Sequence, residues 1–351
     1  MKKRIIIIPT LILITGLLVF AYSYGRQSEK KEAVEEDKIQ IGVSFDSFVI
    51  ERWLRDRDVF VSAARDLGAE VNVQNANGDI EAQKKQIDYF IEKGMDAIVI
   101  ICIDSYGLRD HVKKALDAGI KVVAYDRLIT NANVDLYISF DNAMVGEMMA
   151  EELVKNGIRG GNVLMLGGSM TDSNVPIVEN AFREIMRKNS VTVLDSIHAD
   201  GWKAEIAGTY VYEHLDVVAR ADAIMCGNDN LASQVVPALV EKRYVDKIMV
   251  VGQDADLEAC QRIVEGTQLM TVYKPVEKLA KRAAECTVQL VKEGMVSGED
   301  VSVIEDGTYT VPYVGIEPVS VTASNIDEVI IDSGFHLKED VYLHVPDKMP
   351  K

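Results

Sequence analysis

From Lys38 onward the chain alternates two hydrophobic rhythms. Short, nearly unbroken apolar runs (KIQIGVSF, DAIVIICID, KVVAYDR, LYISFD, NVLMLGG, ADAIMCGND, KIMVVGQD) read as strands buried on both faces of parallel sheets. AEVNVQNA and SVTVLDSI are two further strands. Between them lie segments of helical period. ERWLRDRDVFVSAARDLG places Phe60, Ala64 and Leu67 on one face and stops at Gly68. IEAQKKQIDYFIEKG is entered through Gly78-Asp79, HVKKALDAG ends on Gly119, and NAMVGEMMAEELVKNG follows LYISFD. A long helix, VEKLAKRAAECTVQLVKEG, and short strands complete the chain. Repeated β-α alternation predicts parallel sheets with helices on both faces, and two such series predict two doubly wound α/β lobes. The stretch after Lys274 is too short for a third domain and is expected to cross back between the lobes.

The apolar runs share a second feature: they stop on charged or amide side chains. KVVAYDR ends on Asp126 and Arg127, AIMCGND on Asn228 and Asp229, VVGQDAD on Asp254 and Asp256, and MTVYKP on Lys274. VLMLGGS runs into Thr171, Asp172, Ser173 and Asn174. Ligands of open α/β sheets bind outside the carboxyl ends of the strands, so this pattern predicts a pocket.

Helix N-capping is the ordinary reason for such residues at strand ends. It suffices for Asp229 or Asn230, for Asp256 and for Asn142, where a helical pattern begins at once. It fails for Asp126 and Arg127, because LITNANVD has no helical period and Arg is no cap. Lys274 cannot accept from an amide, and Asp254 lies two residues before the cap position. Asp172 and Asn174 are open to either role, since both could cap the helix after Pro176. Trp202, in DGWKAE, has no place in a core period, whereas Trp53 shares a helix face with Phe60 and could be core or pocket. An indole offers a flat apolar wall with one polar edge, which suits the C–H face of a sugar ring.

Asp126, Asp172 and Asp254 stand against Arg52, Arg127 and Lys274, three charges of each sign. Such a set, if it converges, can neutralise itself and leaves no surplus cation for a phosphate or carboxylate ligand. Charges of both signs with amides suit a neutral ligand rich in hydroxyls, each both donor and acceptor. A neutral sugar is the expected ligand.

Composition narrows the alternatives. The chain has 351 residues, nearly half of them hydrophobic, enough for two ordinary cores. A formal net charge of −17 argues against nucleic acid. Cys102, Cys226, Cys260 and Cys286 show neither C-x-x-C nor metal-ligand spacing, and the five histidines are scattered. No metal, no cofactor and no disulfide framework are expected. No nucleophile elbow, phosphate loop or zinc motif suggests an enzyme.

Lys2, Lys3 and Arg4 precede an uncharged run from Ile5 to Tyr24. As a helix its twenty residues reach about 30 Å, one hydrocarbon thickness. This run predicts one transmembrane signal-anchor helix with a cytoplasmic tip (residues 1–25), a charged tether (26–37) and an extracytoplasmic body. The competing reading is a cleaved signal peptide, for which Ala21-Tyr22-Ser23 is the one candidate site.

ERWLRDRDVFV, VQNANGDIEAQKKQI, AYDRLITNANVDLYISFDN, GQDADLEACQRIVEGTQLMTVYKP and DSGFHLKE closely resemble bacterial D-xylose-binding proteins of the ribose/galactose-type periplasmic sugar-binding family. The resemblance spans roughly residues 38 to 338. It implies two lobes of the periplasmic-binding-protein type I fold, joined by hinge strands and closing on a pyranose held between two tryptophans. The lobes are then expected at 38–142 plus about 279–316, and at 143–278 plus about 317–337, with a tail over 338–351. Carried over motif by motif, it implies ligand-binding roles for Arg52, Trp53, Asp126, Arg127, Asp172, Asn174, Trp202, Asn228, Asp254 and Lys274.

The expected function is reversible binding of D-xylose or a similar pentose, with closure reported to a membrane partner, either a sensor histidine kinase or an ABC permease. The alternative is a conventional cleaved, soluble xylose carrier of an ABC importer. More distant is a sugar-responsive transcriptional regulator of the same lobed fold, but a membrane segment stands where its DNA-binding domain would be.

Overall fold

A computed structural model of the protein describes residues 38–350. The predicted membrane helix and tether lie outside the described residues; among the described residues no helix is long and apolar enough to cross a membrane. Residues 39–350 form one compact unit built on two sheets.

The first sheet has the order β11-β12-β5-β4-β3-β1-β2. Its strands are β1 (Ile39–Phe45), β2 (Ala69–Asn75), β3 (Ala97–Ile100), β4 (Lys121–Tyr125), β5 (Leu136–Phe140), β11 (Val301–Glu305) and β12 (Thr310–Ile316). The second has the order β13-β10-β9-β8-β6-β7. It is built from β6 (Asn162–Gly167), β7 (Thr192–His198), β8 (Ala223–Cys226), β9 (Met249–Gln253), β10 (Met270–Tyr273) and β13 (Val319–Thr322).

Helices α1 (Arg52–Asp66), α2 (Ile80–Glu92) and α3 (Arg109–Asp117) connect strands of the first sheet. The second series comprises α4 (Asn142–Lys155), α5 (Asn174–Lys188), α6 (Ala204–Glu213), α7 (Leu215–Val218), α8 (Asp229–Glu241) and α9 (Leu257–Glu265). After these come α10 (Val276–Glu293) and α11 (Lys338–Val341).

Each sheet is covered on both faces. Phe60, Tyr125, Phe140 and Leu279 pack on one face of the first, and Phe90, Ile98 and Val122 on the other. The second sheet separates Leu166, Val235 and Leu239 from Met149, Phe182 and Val251. The chain passes between the sheets three times: from β5 into α4, from β10 into α10, and from β12 to β13.

The sequence predicts parallel sheets, but each sheet has one antiparallel pair: β11 with β12, and β13 with β10. Connection length explains the first, because a parallel partner needs a crossover of a dozen or more residues. Only residues 306–309 join β11 to β12; there Asp306 Oδ1 accepts from the amides of Thr308 and Tyr309. β13 follows β12 after two residues and enters the other sheet as an edge.

Two capping assignments also need correction. Asp141, not Asn142, caps α4, accepting from Ala143 and Met144 N–H at 3.0 Å. Asn228, not Asp229 or Asn230, caps α8, accepting from Leu231 N–H at 2.9 Å. Each helix begins one or two residues before its apolar period becomes legible. Asp256 does occupy the N-cap position of α9, but its side chain makes no capping bond.

Candidate functional site

In the first sheet the strand order reverses at β1, flanked by β2 and β3; in the second it reverses at β6, flanked by β7 and β8. Strands on either side of such a reversal splay their following loops apart and open a crevice at their carboxyl ends. A cavity lies there. All ten sequence-predicted residues line it: Arg52, Trp53, Asp126, Arg127, Asp172, Asn174, Trp202, Asn228, Asp254 and Lys274.

Arg52, in the first turn of α1, is held in place by ion pairs. Its Nε and Nη2 each lie 3.1 Å from an oxygen of Asp56, one helical turn on, and its Nη1 donates to Asp126 Oδ2 at 2.9 Å. Tyr125 OH donates to the same Asp56 carboxylate from β4. The flanking carboxylates outweigh burial and raise the Arg52 pKa well above its ordinary value, so it stays charged. Burial alone would raise Asp126, but Arg52, Lys274 and Arg127 hold it below the usual carboxylate range.

Arg127 ties three elements together. Nη1 donates to Asp46 Oδ2 at 2.7 Å and to the Cys102 carbonyl at 3.0 Å, while Nε lies 2.7 Å from Asp172 Oδ2. Asp172 follows β6, so this contact crosses from the first sheet's lobe to the second's. Burial raises Asp172 despite Arg127. Asn174 makes a second crossing: its Nδ2 donates to Asp126 O at 3.0 Å and Oδ1 at 3.2 Å. Asp172 Oδ1 accepts from Asn174 N–H at 2.9 Å, but neither residue caps the helix: Ser173 holds the N-cap position of α5 and makes no side-chain capping bond, and both Asp172 and Asn174 line the cavity.

Opposite them, Lys274 Nζ lies 3.2 Å from Asp254 Oδ1. The Trp53 ring is fully buried in the core that holds Phe60 and also faces the cavity, with the Arg52 guanidinium 4.4 Å from its centroid. Core and pocket were never alternatives for it. Trp202 sits on Gly168, where a Cβ would lie 2.2 Å from the indole. Asp126, Trp202 and Asp254 all have positive φ (65°, 58° and 99°), which for non-glycine residues marks backbone held in place by its surroundings.

The cavity is lined by polar atoms without partners. Trp53 Nε1, Arg127 Nε, Trp202 Nε1, Asn228 Nδ2, Gln253 Oε1 and Asp254 Oδ1 are buried and receive or make no aligned hydrogen bond. Arg127 Nε and Asp254 Oδ1 each lie close to an opposite charge, as given above, but not along a hydrogen-bonding line. Such atoms are unfavourable unless something polar meets them. Donors and acceptors occur together, the distribution a polyhydroxylated molecule would satisfy.

Residues 41–295 match the periplasmic binding protein domain family. The chain belongs to that family. Its relatives include the D-xylose-binding periplasmic protein of Haemophilus influenzae, 40% identical across 87% of this chain and 92% of the relative. The protein of the same description from Escherichia coli is 38% identical, across 88% and 94%. Among solved structures, an ABC transporter solute binding protein from Clostridium phytofermentans with bound β-D-glucose superposes with a TM-score of 0.77. It is 26% identical and covers 86% of this chain and 99% of its own. The protein is therefore a homologue of periplasmic sugar-binding proteins and not an enzyme.

In this binding-protein site the sequence reading missed Asp46, Asp56 and Gln253. Asp46 and Gln253 end the apolar runs of β1 and β9, and the strand-end rule applied to every run would have found both. Asp56 had only its spacing of four from Arg52 as a signal. Adding Asp46 and Asp56 gives five carboxylates against three cations. The charges are therefore not evenly balanced, and an anionic ligand is disfavoured more strongly than the sequence suggested. Among the described residues no cluster of His, Cys, Asp and Glu could hold a metal ion.

Proposed function

We propose that the protein reversibly binds a neutral monosaccharide, D-xylose or a similar pentose, outside the cytoplasm and presents it to an ABC importer. The observation that supports this reading is the set of buried donors and acceptors without an aligned hydrogen bond that line one cavity together with two indoles. Arg52, Asp126, Arg127, Asp172, Asn174, Asn228, Asp254 and Lys274 bond the ring oxygen and hydroxyls, and Trp53 and Trp202 cover the C–H faces. The names of the relatives support xylose, and the solute-binding description of the solved neighbour supports import. The same names favour the carrier role over a report to a sensor histidine kinase.

Calorimetry of the purified protein with D-xylose, L-arabinose, D-ribose and D-glucose tests it. D-xylose is expected to bind most tightly, and absence of heat at millimolar xylose would falsify the reading. Attachment through residues 5–24 is part of the proposal, since the uncharged run is long enough to span. Membrane fractionation checks it: protein that partitions with membranes and retains an intact amino terminus is expected, and a soluble product starting near Tyr24 overturns attachment.

A further inference from the structure

Asp254 and Ala255 hold left-handed backbone in succession, with φ of 99° and 56°. Two such residues together persist only where neighbouring bonds impose the shape. Those bonds form a bracket. Asp254 N–H donates to Val272 O at 2.9 Å. Ala255 N–H donates to Thr271 Oγ1 at 3.2 Å, and that hydroxyl donates to Asp229 Oδ2 at 2.6 Å. Asp256 N–H reaches the same Asp229 oxygen at 3.3 Å.

Cys260 Sγ also reaches the Ala255 carbonyl, at 3.6 Å, and a shorter contact to it comes from far along the chain. His336 Nε2 lies 2.8 Å from Ala255 O. A carbonyl oxygen only accepts, so Nε2 carries the proton. Burial holds the His336 pKa below its ordinary value, against the pull of Glu51 and Asp340 and with the help of Arg55, so the ring is neutral near pH 7.

His336 is carried by a segment that also grips the other lobe. The carbonyl of its neighbour Phe335 accepts from Arg55 Nη2 at 2.7 Å, and the Phe335 ring lies 4.3 Å beneath the same guanidinium. On its other side Phe335 packs against Tyr273 of β10, with ring centroids 4.7 Å apart. Arg55 belongs to α1, whose first turn supplies Arg52 and Trp53 to the cavity. The Phe335–His336 pair is therefore clamped between α1 and the turn that carries Asp254.

We infer that His336 is a positioning residue for the site: its Nε2–H holds the Ala255 carbonyl, fixes the Asp254 turn, and ties that turn to α1 through Phe335 and Arg55. The inference rests on the proposed sugar binding for its functional consequence, but the bracket itself can be tested without sugar.

Two variants separate the bond from packing. His336→Phe keeps a ring against Phe335 and removes the donor; His336→Gln places an amide N–H near the Nε2 position. With D-xylose in calorimetry, His336→Phe is expected to bind about tenfold more weakly, the scale of one lost buried bond, and His336→Gln to stay within about threefold of the parent. Without sugar, the Ala255 and Asp256 amides are expected to exchange hydrogen faster in His336→Phe than in the parent or His336→Gln. Parent-like xylose affinity in His336→Phe overturns the inference, as do equal losses in both variants. If the parent protein takes no xylose, the proposed function fails and exchange decides alone: unchanged protection in His336→Phe overturns the bracket, and faster exchange sustains it.

Discussion

Gly168 shows how small a change the site should notice. A Cβ there would lie 2.2–2.4 Å from three atoms of the Trp202 indole, so the ring would have to shift from its place over the cavity. Gly168→Ala is expected to displace the indole and weaken D-xylose binding at least about tenfold, the effect of ~1.4 kcal/mol, with far-UV circular dichroism unchanged. Arg127 is a different case, since its removal strands Asp46 and Asp172 as buried carboxylates as well as deleting a donor. Arg127→Ala is expected to lower xylose affinity at least about tenfold by calorimetry, and parent-like binding would remove Arg127 from the site. Asp56 does not line the cavity, yet it fixes two nitrogens of Arg52. Breaking a buried pair leaves a charge uncompensated, so Asp56→Ala is expected to destabilise the fold by about 3 kcal/mol in urea unfolding.

At the level of elements, the helix α8 places an unusual acid. Asp229, its first residue, is buried behind the Asp254 turn, with Gln268 Nε2 donating to Oδ1 at 2.8 Å and Thr271 to Oδ2. Burial pushes its pKa up to about 7, against the pull of Arg262, and burial with Asp229 and Asp254 pushes Asp256 up as well. A carboxyl whose folded pKa lies above its unfolded value destabilises the fold once the unfolded chain ionises. Its contribution is therefore lost as pH rises from about 4 to about 7. His336 acts oppositely: its depressed pKa gives stability above about pH 6.5 that fades below it. The informative quantity is consequently a difference. Urea midpoints between pH 4 and 7.5 are expected to show the parent losing stability relative to Asp229→Asn as pH rises, and parallel profiles would show that Asp229 is ionised throughout.

The same element shows where sequence reading stops. The apolar runs located the strands of the β-α repeats, because a strand covered on both faces must be apolar along its length. Asp126, Arg127, Asp254 and Lys274 were legible because no capping role could account for them. Asp229 was not, since a cap and a buried acid look alike until the distances to Thr271 and Gln268 are known. The His336 contact with Ala255 joins residues 81 apart in sequence and has no local signature. Nor have the antiparallel edges β11 and β13, whose pairing follows from how the chain returns between lobes and not from any residue in them.

For the whole molecule, the polar atoms that recommend a sugar also make the closed, empty site unfavourable. Four buried polar atoms, Trp53 Nε1, Trp202 Nε1, Asn228 Nδ2 and Gln253 Oε1, have neither a hydrogen bond nor an opposite charge beside them, and each costs about 1–3 kcal/mol when nothing meets it. Opposing this are the links that cross between lobes: Arg127 to Asp172, Asn174 to Asp126, and Leu128 N–H to Ser173 Oγ at 2.9 Å. Opening returns the unpartnered atoms to water at the expense of those links, so the empty protein should favour an open state and a sugar should favour the closed one by its differential affinity. The radius of gyration from small-angle scattering is expected to fall when D-xylose is added. Both tryptophans of the chain line the cavity, so intrinsic fluorescence reports on this site without contribution from indoles elsewhere. Its change should saturate with the same affinity as the heat of binding. At a hundredfold excess over the dissociation constant, xylose should add about 2.7 kcal/mol to stability, seen as a raised thermal midpoint. In Asp172→Ala the Arg127 link between lobes is gone, and the scattering change at saturating xylose should shrink. A variant that binds weakly yet still compacts fully at saturation would show that Asp172 serves the sugar alone, leaving closure to Asn174 and Ser173.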